Sequence, residues 1–313
     1  MDILFYGYGD AATSWLEHLA TLLPEARLRI WMPGDNARAD YAVVRNPPPE
    51  MLGPREGLKA VFNLGAGVDA ILTTLADERA RLPAHVKLIK LDDAGMAPQM
   101  IEYVAHAVLH HARRADDYAR LQADRRWEPL VASNAQGMTV GVMGLGMLGT
   151  RVAQALTGLG FAVRGWSRTS KQIDGMRTYA GVSELNEFLA GSQVLVNLLP
   201  LTPDTAGILD RKLFFKLPQG AYVINVARGA HLVDEDLLEA IRCGHLAGAK
   251  LDVFRQEPLP PGHPFWSETR ISITPHVSAL TLKEESLIQI AEKIRALETG
   301  RPVSGIIDRS RGY

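Results

Sequence analysis

The sequence predicts an α/β chain of two doubly wound parallel-sheet lobes, on three observations. Short apolar runs alternate with amphipathic stretches along nearly all of its 313 residues. A strand–turn–helix pattern near Gly144 carries three closely spaced glycines. A long helical pattern from about residue 97 divides two strand-rich halves. Alternating β and α segments imply a mostly parallel sheet covered on both faces, and about 150 residues per domain favours two domains.

In the first half, strand-like runs cover 3–6, 28–32, 41–45, 59–64 and 86–91. Between them Trp15, Leu16, Leu19, Leu22 and Leu23 recur at helix spacing. A helix over 97–114 follows, with Ile101, Val104, Ala105, Val108 and Leu109 on one face. The polar stretch 116–136, which contains Trp127 and Pro129, is long for a connection and reads as an arm or excursion. Strands resume at 139–143, 162–166, 194–199, 222–226, 249–254 and 271–274. The segment 282–298 is helical, with Leu287, Ile288, Ala291, Ile294 and Leu297 three and four apart.

Hydrophobic residues make up 47% and charged residues 22%, ordinary usage for a globular protein. The 34 basic and 35 acidic residues leave a formal charge of −1, without the positive field of a nucleic-acid binder. The expected partners are therefore small molecules or further copies of the chain. The single cysteine, Cys243, excludes an internal disulfide and a cysteine zinc cage, and suits a reducing, cytoplasmic setting. The N-terminal Met1-Asp2-Ile3-Leu4-Phe5 makes a poor signal peptide. No run approaches the roughly 18 apolar residues of a membrane span, so no membrane partner is expected.

The strongest local signal is Gly144-Leu145-Gly146-Met147-Leu148-Gly149, between the strand at 139–143 and a helical pattern at 152–159. In such a turn the first glycine permits the sharp bend, the second lets the backbone approach a pyrophosphate, and the third lets helix and strand pack closely. The helix N-terminus then offers free N–H groups to the anion. An acid at the end of the next strand would hold the ribose 2′-hydroxyl of NAD. That place, 21 residues beyond Gly146, holds Ser167, followed by Arg168 and Lys171. A hydroxyl and two cations there fit a 2′-phosphate, so NADP(H) is the expected cofactor.

Three polar residues sit just beyond later strands, where open α/β sheets bind ligands. These are Arg228, Glu257 and His276, spaced 29 and 19 residues apart, one per strand-and-connection unit. A 2-oxo acid reduction needs these types. Hydride reaching the carbonyl carbon puts negative charge on its oxygen, which a guanidinium that also binds the carboxylate can stabilise. An imidazolium can deliver the proton, and a carboxylate beside it favours the protonated ring. Taken singly, each residue also fits a strand cap, a solvated turn or a loop histidine; their shared position beyond a dinucleotide turn favours catalysis.

With these residues in view, the chain resembles the D-2-hydroxyacid dehydrogenases from end to end. The shared motifs are Asn63-Leu64-Gly65-Ala66-Gly67-Val68-Asp69, the glycine turn, Trp166-Ser167-Arg168, Leu198-Leu199-Pro200-Leu201-Thr202-Pro203, Asn225-Val226-Ala227-Arg228-Gly229, Asp252-Val253-Phe254 with Glu257-Pro258, and Thr274-Pro275-His276-Val277, with Asp308 to Tyr313 at the end. The resemblance implies a flavodoxin-like substrate domain (1–96 and 280–313) and a Rossmann coenzyme domain (97–279). It implies that the amides of Leu64, Gly65, Ala66 and Gly67 bind the substrate carboxylate, as successive amides at a glycine-rich turn can. It further implies that the glycine turn with Met147 and Leu148, and Leu199, Pro200 and Ala227, line the cofactor, that Asp252 holds the nicotinamide carboxamide, and that the chain forms a homodimer through the coenzyme domain, with 116–136 as its arm.

The chain departs from similar reductases at Arg45-Asn46-Pro47-Pro48, where they carry an aromatic residue in place of Arg45. If that position lines the pocket, the substrate is more anionic or larger than glyoxylate; the alternative is that Arg45 faces solvent. Two functions remain open: NADPH-dependent reduction of small 2-oxo acids such as glyoxylate and hydroxypyruvate, and a dinucleotide-sensing, corepressor-like binding role. His106, His110 and His111 read as a helix face rather than a metal site, Cys243 as structural, and Trp266 as packing beneath the histidine loop or reaching the pocket, with packing favoured.

Overall fold

The computed structural model describes residues 1–65, 67–131 and 137–309. It divides into two compact units, Met1–Met96 with Thr281–Tyr313, and Ala97–Leu280.

The first unit is built on five parallel strands, β1 (Asp2–Tyr6), β2 (Arg27–Ile30), β3 (Tyr41–Val44), β4 (Ala60–Asn63) and β5 (Lys87–Lys90). Their order is β2-β1-β3-β4-β5, the flavodoxin-like doubly wound arrangement. Every residue of β3 and β4 is buried, which is why these strands read as continuous apolar runs rather than alternating ones. Helix α1 (Ala12–Leu22) buries Ala12, Trp15 and Leu19, and α2 (Asp69–Leu75) buries Ile71.

The C-terminal helix Lys283–Glu298 returns to this unit, burying Leu287, Ile290, Ala291 and Ile294 at helical spacing. It also buries a cation. Lys293 donates to the carbonyls of Lys90 and Ser304 at 3.0 Å each and pairs with Asp92 at 2.9 Å. Burial alone would raise the Asp92 carboxyl, but hydrogen bonds from Ser304 and Lys293 outweigh it and hold the group below its ordinary range.

The second unit has seven parallel strands, β6 (Thr139–Met143), β7 (Ala162–Ser167), β8 (Arg177–Ala180), β9 (Val194–Asn197), β10 (Ala221–Asn225), β11 (Leu246–Leu251) and β12 (Ile271–Ile273). The order is β12-β11-β10-β9-β6-β7-β8. Counted from β6, this is the dinucleotide-binding order with one strand added, and the switch point lies between β6 and β9. Helix α3 (Met96–Ala112) opens the unit and packs Val104 and Val108 among Val140, Val142 and Ile224. No helix among the described residues is long and apolar enough to cross a membrane.

Several elements differ from the sequence expectation. The stretch 116–136 is partly helical, forming α4 (Ala115–Ala123); residues 132–136 lie outside the described residues. Asp116 and Asp117 in its first turn suit the helix dipole, a signal masked by the absence of any buried residue in α4. Strand β8 carries only one buried residue, Tyr179, so no hydrophobic run announced it. Strand β11 occupies 246–251 rather than 249–254, and Val253 and Phe254 already belong to the following loop. Cys243, read as structural, is exposed, with its thiol 3.4 Å from the Ala240 carbonyl.

Replacing Lys293 with Met leaves the half-buried Asp92 without its paired cation. The expected loss is about 3 kcal/mol, read as a lower urea midpoint, with most of it recovered in the double variant Lys293→Met, Asp92→Leu. A single variant that unfolds at the wild-type midpoint would show that this ion pair carries no stability.

Candidate active site

The glycine turn joins β6 to α5 (Met147–Gly158). Each glycine is held to a different purpose. Gly144 has φ +100°, and a Cβ there would lie 2.6 Å from the Leu198 carbonyl oxygen. At Gly149 a Cβ would fall 1.8 Å from the Gly144 carbonyl oxygen, so helix and turn touch backbone to backbone. At Gly146 a Cβ would meet nothing within 4 Å. The middle position therefore faces open space, where a ligand phosphate can approach the chain. The first turn of α5 holds no acid, which leaves its N–H groups and dipole free of a competing carboxylate.

The end of β7 lies beside this turn. Ser167 is buried, and its hydroxyl donates to the Thr169 carbonyl at 2.8 Å. Arg168 is exposed, and the Lys171 ammonium donates to the carbonyl of Leu145, inside the glycine turn. Two cations thus follow β7, one of them bonded into the glycine turn.

The ends of β9 and β10 carry a buried polar network that the sequence reading did not find. Asn197, Asn225 and His231 are all fully buried. The Asn197 amide nitrogen donates to the Asn225 side-chain oxygen and lies 3.0 Å from Nδ1 of His231. Its oxygen accepts from the Leu199 amide at 3.3 Å. The Asn225 oxygen also accepts from the Ala227 amide, and its nitrogen donates to the Arg228 carbonyl at 3.1 Å. Since His231 Nδ1 accepts, Nε2 carries the hydrogen and donates to the Pro200 carbonyl at 3.2 Å. One network therefore fixes both the Leu199-Pro200 loop and the Ala227-Arg228 turn. Its sequence signal is an asparagine ending a wholly apolar strand, costly unless bonded.

Arg228, Glu257 and His276 follow β10, β11 and β12, three neighbours in one parallel sheet, so all three stand at the same edge. The half-buried Arg228 has a guanidinium nitrogen 2.7 Å from the Ala227 carbonyl. Gly229 lets this turn meet the Glu257 loop, because a Cβ there would lie 1.8 Å from the Phe254 carbonyl carbon. Glu257 accepts from the Phe254 amide with Oε1 at 2.9 Å and faces His276 Nδ1 with Oε2 at 2.7 Å. A carboxylate only accepts here, so Nδ1–H donates and Nε2 is left as the ring's outward nitrogen.

His276 has φ +56°, a conformation uncommon outside glycine. Asp252 holds it there. The backbone carbonyl of Asp252 accepts from the His276 amide at 2.8 Å. Its fully buried carboxylate accepts from the Thr274 hydroxyl at 2.6 Å, the Val277 amide at 2.9 Å and the Ser278 amide at 2.8 Å. The Tyr103 hydroxyl on α3 bonds Thr274 in turn, and burial keeps that phenol well above its usual pKa. Trp266, expected to pack, is 55% exposed, with its indole N–H donating to the Pro260 carbonyl.

In the first unit, the turn after β4 carries the four amides expected to bind the substrate carboxylate. The Leu64 amide is spent on the Val44 carbonyl at 2.8 Å, extending the sheet ladder, and the Gly65 amide closes onto the Asn63 carbonyl at 2.9 Å. Ala66 lies outside the described residues. The Gly67 carbonyl is held by the Asn63 side chain at 2.8 Å, while its amide has no partner among the described residues. Arg45 follows β3 and lies over the ring of Tyr8. His111 stacks on Tyr222, and no cluster of three or more metal-ligating side chains occurs among the described residues.

Residues 105–278 match the profile of the D-isomer specific 2-hydroxyacid dehydrogenase, NAD binding domain. The whole chain is 51% identical to the glyoxylate/hydroxypyruvate reductase A of Serratia proteamaculans and 50% identical to that of Yersinia enterocolitica, each over 100% of both chains. Among solved structures it is similar to a D-isomer specific 2-hydroxyacid dehydrogenase from Xanthobacter autotrophicus Py2 in complex with NADPH and MES. That likeness has a TM-score of 0.93 and 39% identity, covering 100% of this chain and 99% of that one. An NADPH-dependent glyoxylate/hydroxypyruvate reductase from Sinorhizobium meliloti, in complex with NADP and sulfate, gives a TM-score of 0.90 and 35% identity over 100% and 99%.

The glycine geometry makes a graded prediction for thermal melting. Gly149→Ala should lower Tm by more than about 5 °C, because the methyl group meets a backbone carbonyl that cannot turn away. Gly146→Ala should move it by less than about 2 °C, since the new methyl meets only open space. Equal shifts for the two would contradict the separate roles given to these glycines.

Proposed function

As the chain belongs to the D-isomer specific 2-hydroxyacid dehydrogenases, we propose that it reduces small 2-oxo acids with NADPH, glyoxylate to glycolate and hydroxypyruvate to glycerate. The observation that carries this reading is the 2.7 Å bond between Glu257 and His276, with Arg228 two strands away on the same sheet edge. The names of the relatives and the NADP(H) bound by the similar structures support it.

The residues at the glycine turn fit a dinucleotide: an open face at Gly146, an acid-free helix start, and Arg168 and Lys171 where a 2′-phosphate would lie. Gly144, Gly146, Met147, Leu148 and Gly149 would hold the pyrophosphate, and Ser167, Arg168 and Lys171 the 2′-phosphate. Leu199, Pro200 and Ala227 would line the nicotinamide side. Asp252, with three of roughly four acceptor positions taken, would accept from the carboxamide with the remaining one. When bound, NADPH supplies the hydride.

The protein's own groups do the rest. Arg228 binds the substrate carboxylate and stabilises the charge that grows on the carbonyl oxygen. The Gly67 amide offers the carboxylate a further donor. His276 gives its Nε2 proton to that oxygen, while Glu257 keeps Nδ1 protonated and the ring oriented. The assembly is proposed to be a homodimer through the arm that starts at α4, on which Trp127 and Val131 stand exposed.

Steady-state kinetics test the roles. His276→Ala should lower kcat for glyoxylate by roughly 100-fold or more with a smaller change in KM. Arg228→Ala should damage both, because it removes binding and charge stabilisation together. A His276→Ala enzyme with near wild-type kcat would overturn the proton-donor role. A wild-type chain that binds NADPH but reduces no 2-oxo acid would favour the dinucleotide-sensing role.

Cofactor choice is tested by comparing kcat/KM for NADPH and NADH. NADPH should be preferred, and Arg168→Ala should reduce that preference by about tenfold, leaving NADH nearly unaffected. A wild-type preference for NADH would overturn the assignment of the basic pair at the end of β7.

A further inference from the structure

We propose that Arg45 is a specificity-determining residue that makes the preferred substrate a 2-oxo acid with a second carboxylate, a reading that rests on the 2-oxo acid reduction proposed above. Several arginines of the first unit are paired with acids: Arg29 and Arg55 with Asp35, Arg38 with Asp40, and Arg79 with Glu50. Arg45 is not. Among the described residues no carboxylate pairs with it, and its contacts are all to neutral groups.

Those contacts nevertheless fix it. The guanidinium lies 4.9 Å from the centre of the Tyr8 ring, and that ring stacks on Trp15 at 4.0 Å with 9° between planes. Nη1 donates to the Tyr8 hydroxyl at 3.0 Å and lies 3.4 Å from the Thr281 hydroxyl. An exposed arginine normally loses much freedom on binding an anion. Here the aromatic stack has already removed that freedom, and Nε and Nη2 keep their hydrogens without a partner among the described residues. A guanidinium that is positioned, charged and half-bonded is a ready receptor for a carboxylate, which it can grip bidentately.

Its place in the sheet says what kind of anion. Chain order reverses between β1 and β3, and ligands of doubly wound sheets bind outside the carboxyl ends of strands at that reversal. Tyr8 follows β1 and Arg45 follows β3, so the pair flanks the switch point. The adjacent strand β4 ends in the turn that carries the Gly67 amide, unpartnered among the described residues, and the Leu64 amide ties that turn to Val44. Neighbouring strands lie about 4.8 Å apart. Two anion-seeking elements on one sheet edge, Arg45 after β3 and the Gly67 amide after β4, suit a short chain with a carboxylate at each end. Reduction of such a substrate moves a hydride, and with it two electrons, from NADPH to the carbonyl carbon. One proton goes to the oxygen, giving a 2-hydroxy dicarboxylate and NADP.

The test is the ratio of kcat/KM for oxaloacetate and for 2-oxoglutarate to that for glyoxylate, measured in wild type, Arg45→Met and Arg45→Lys, with Tm confirming that each variant folds. In wild type the better dicarboxylate should exceed glyoxylate. In Arg45→Met that ratio should fall about tenfold, and in Arg45→Lys it should lie between, since an ammonium keeps the charge but loses the fork. A ratio unchanged in Arg45→Met, or a wild type that reduces glyoxylate but neither dicarboxylate, overturns this inference alone. A wild type that reduces no 2-oxo acid overturns the reading beneath it, and this inference with it.

Discussion

Asp252 is fully buried at the end of β11, and its carboxylate gathers the loop that follows β12 through one hydroxyl and two backbone amides. A carboxylate is tolerated in such a place only when its oxygens are satisfied. That requirement acts in both directions: the loop must supply donors, and in supplying them it is fixed. His276 is held at a positive φ between two residues of that loop, with its amide on the Asp252 carbonyl. The ring therefore meets Glu257 because the backbone beneath it has nowhere else to go.

The same logic governs the neighbouring strand ends. Asn197 and Asn225 each close an apolar strand with an amide, and His231 completes the set in one tautomer. Every polar atom they bring is matched, and the groups they match are the carbonyls and amides of the Leu199-Pro200 and Ala227-Arg228 segments. Low dielectric makes such a network strong when complete and costly when broken. The proposed clamp and acid are thus borne on backbone held from below by buried polar groups, a rigid support that a reaction sensitive to small displacements needs.

The first unit handles charge differently. The buried Lys293, paired with the half-buried Asp92, ties the C-terminal helix to β5, which is structural work. Arg45 is exposed and held by aromatic stacking, with no carboxylate paired to it among the described residues. The contrast separates charges that hold the fold from a charge available to a ligand.

Much of this protein is legible in the order of its residues. Apolar runs of four to six residues fix the strands because a sheet covered on both faces tolerates few polar positions. The glycine turn is legible because its three sites admit little else, and the family motifs place Arg228, Glu257 and His276 at strand ends. Helix α4 and strand β8 were hidden because they bury little or nothing, and hydrophobic periodicity reports only burial. The backbone partners of the Leu64 and Gly65 amides were not legible, because a sequence shows that an amide exists but not which carbonyl it meets. Tertiary structure alone decided the pairing of Asn197 with His231, the grip of Asp252 on the histidine loop, and the stacking of Arg45 on Tyr8. Each joins groups from separate segments of chain, and a bond of that kind is set by where the backbone brings its partners rather than by any local preference of the residues themselves.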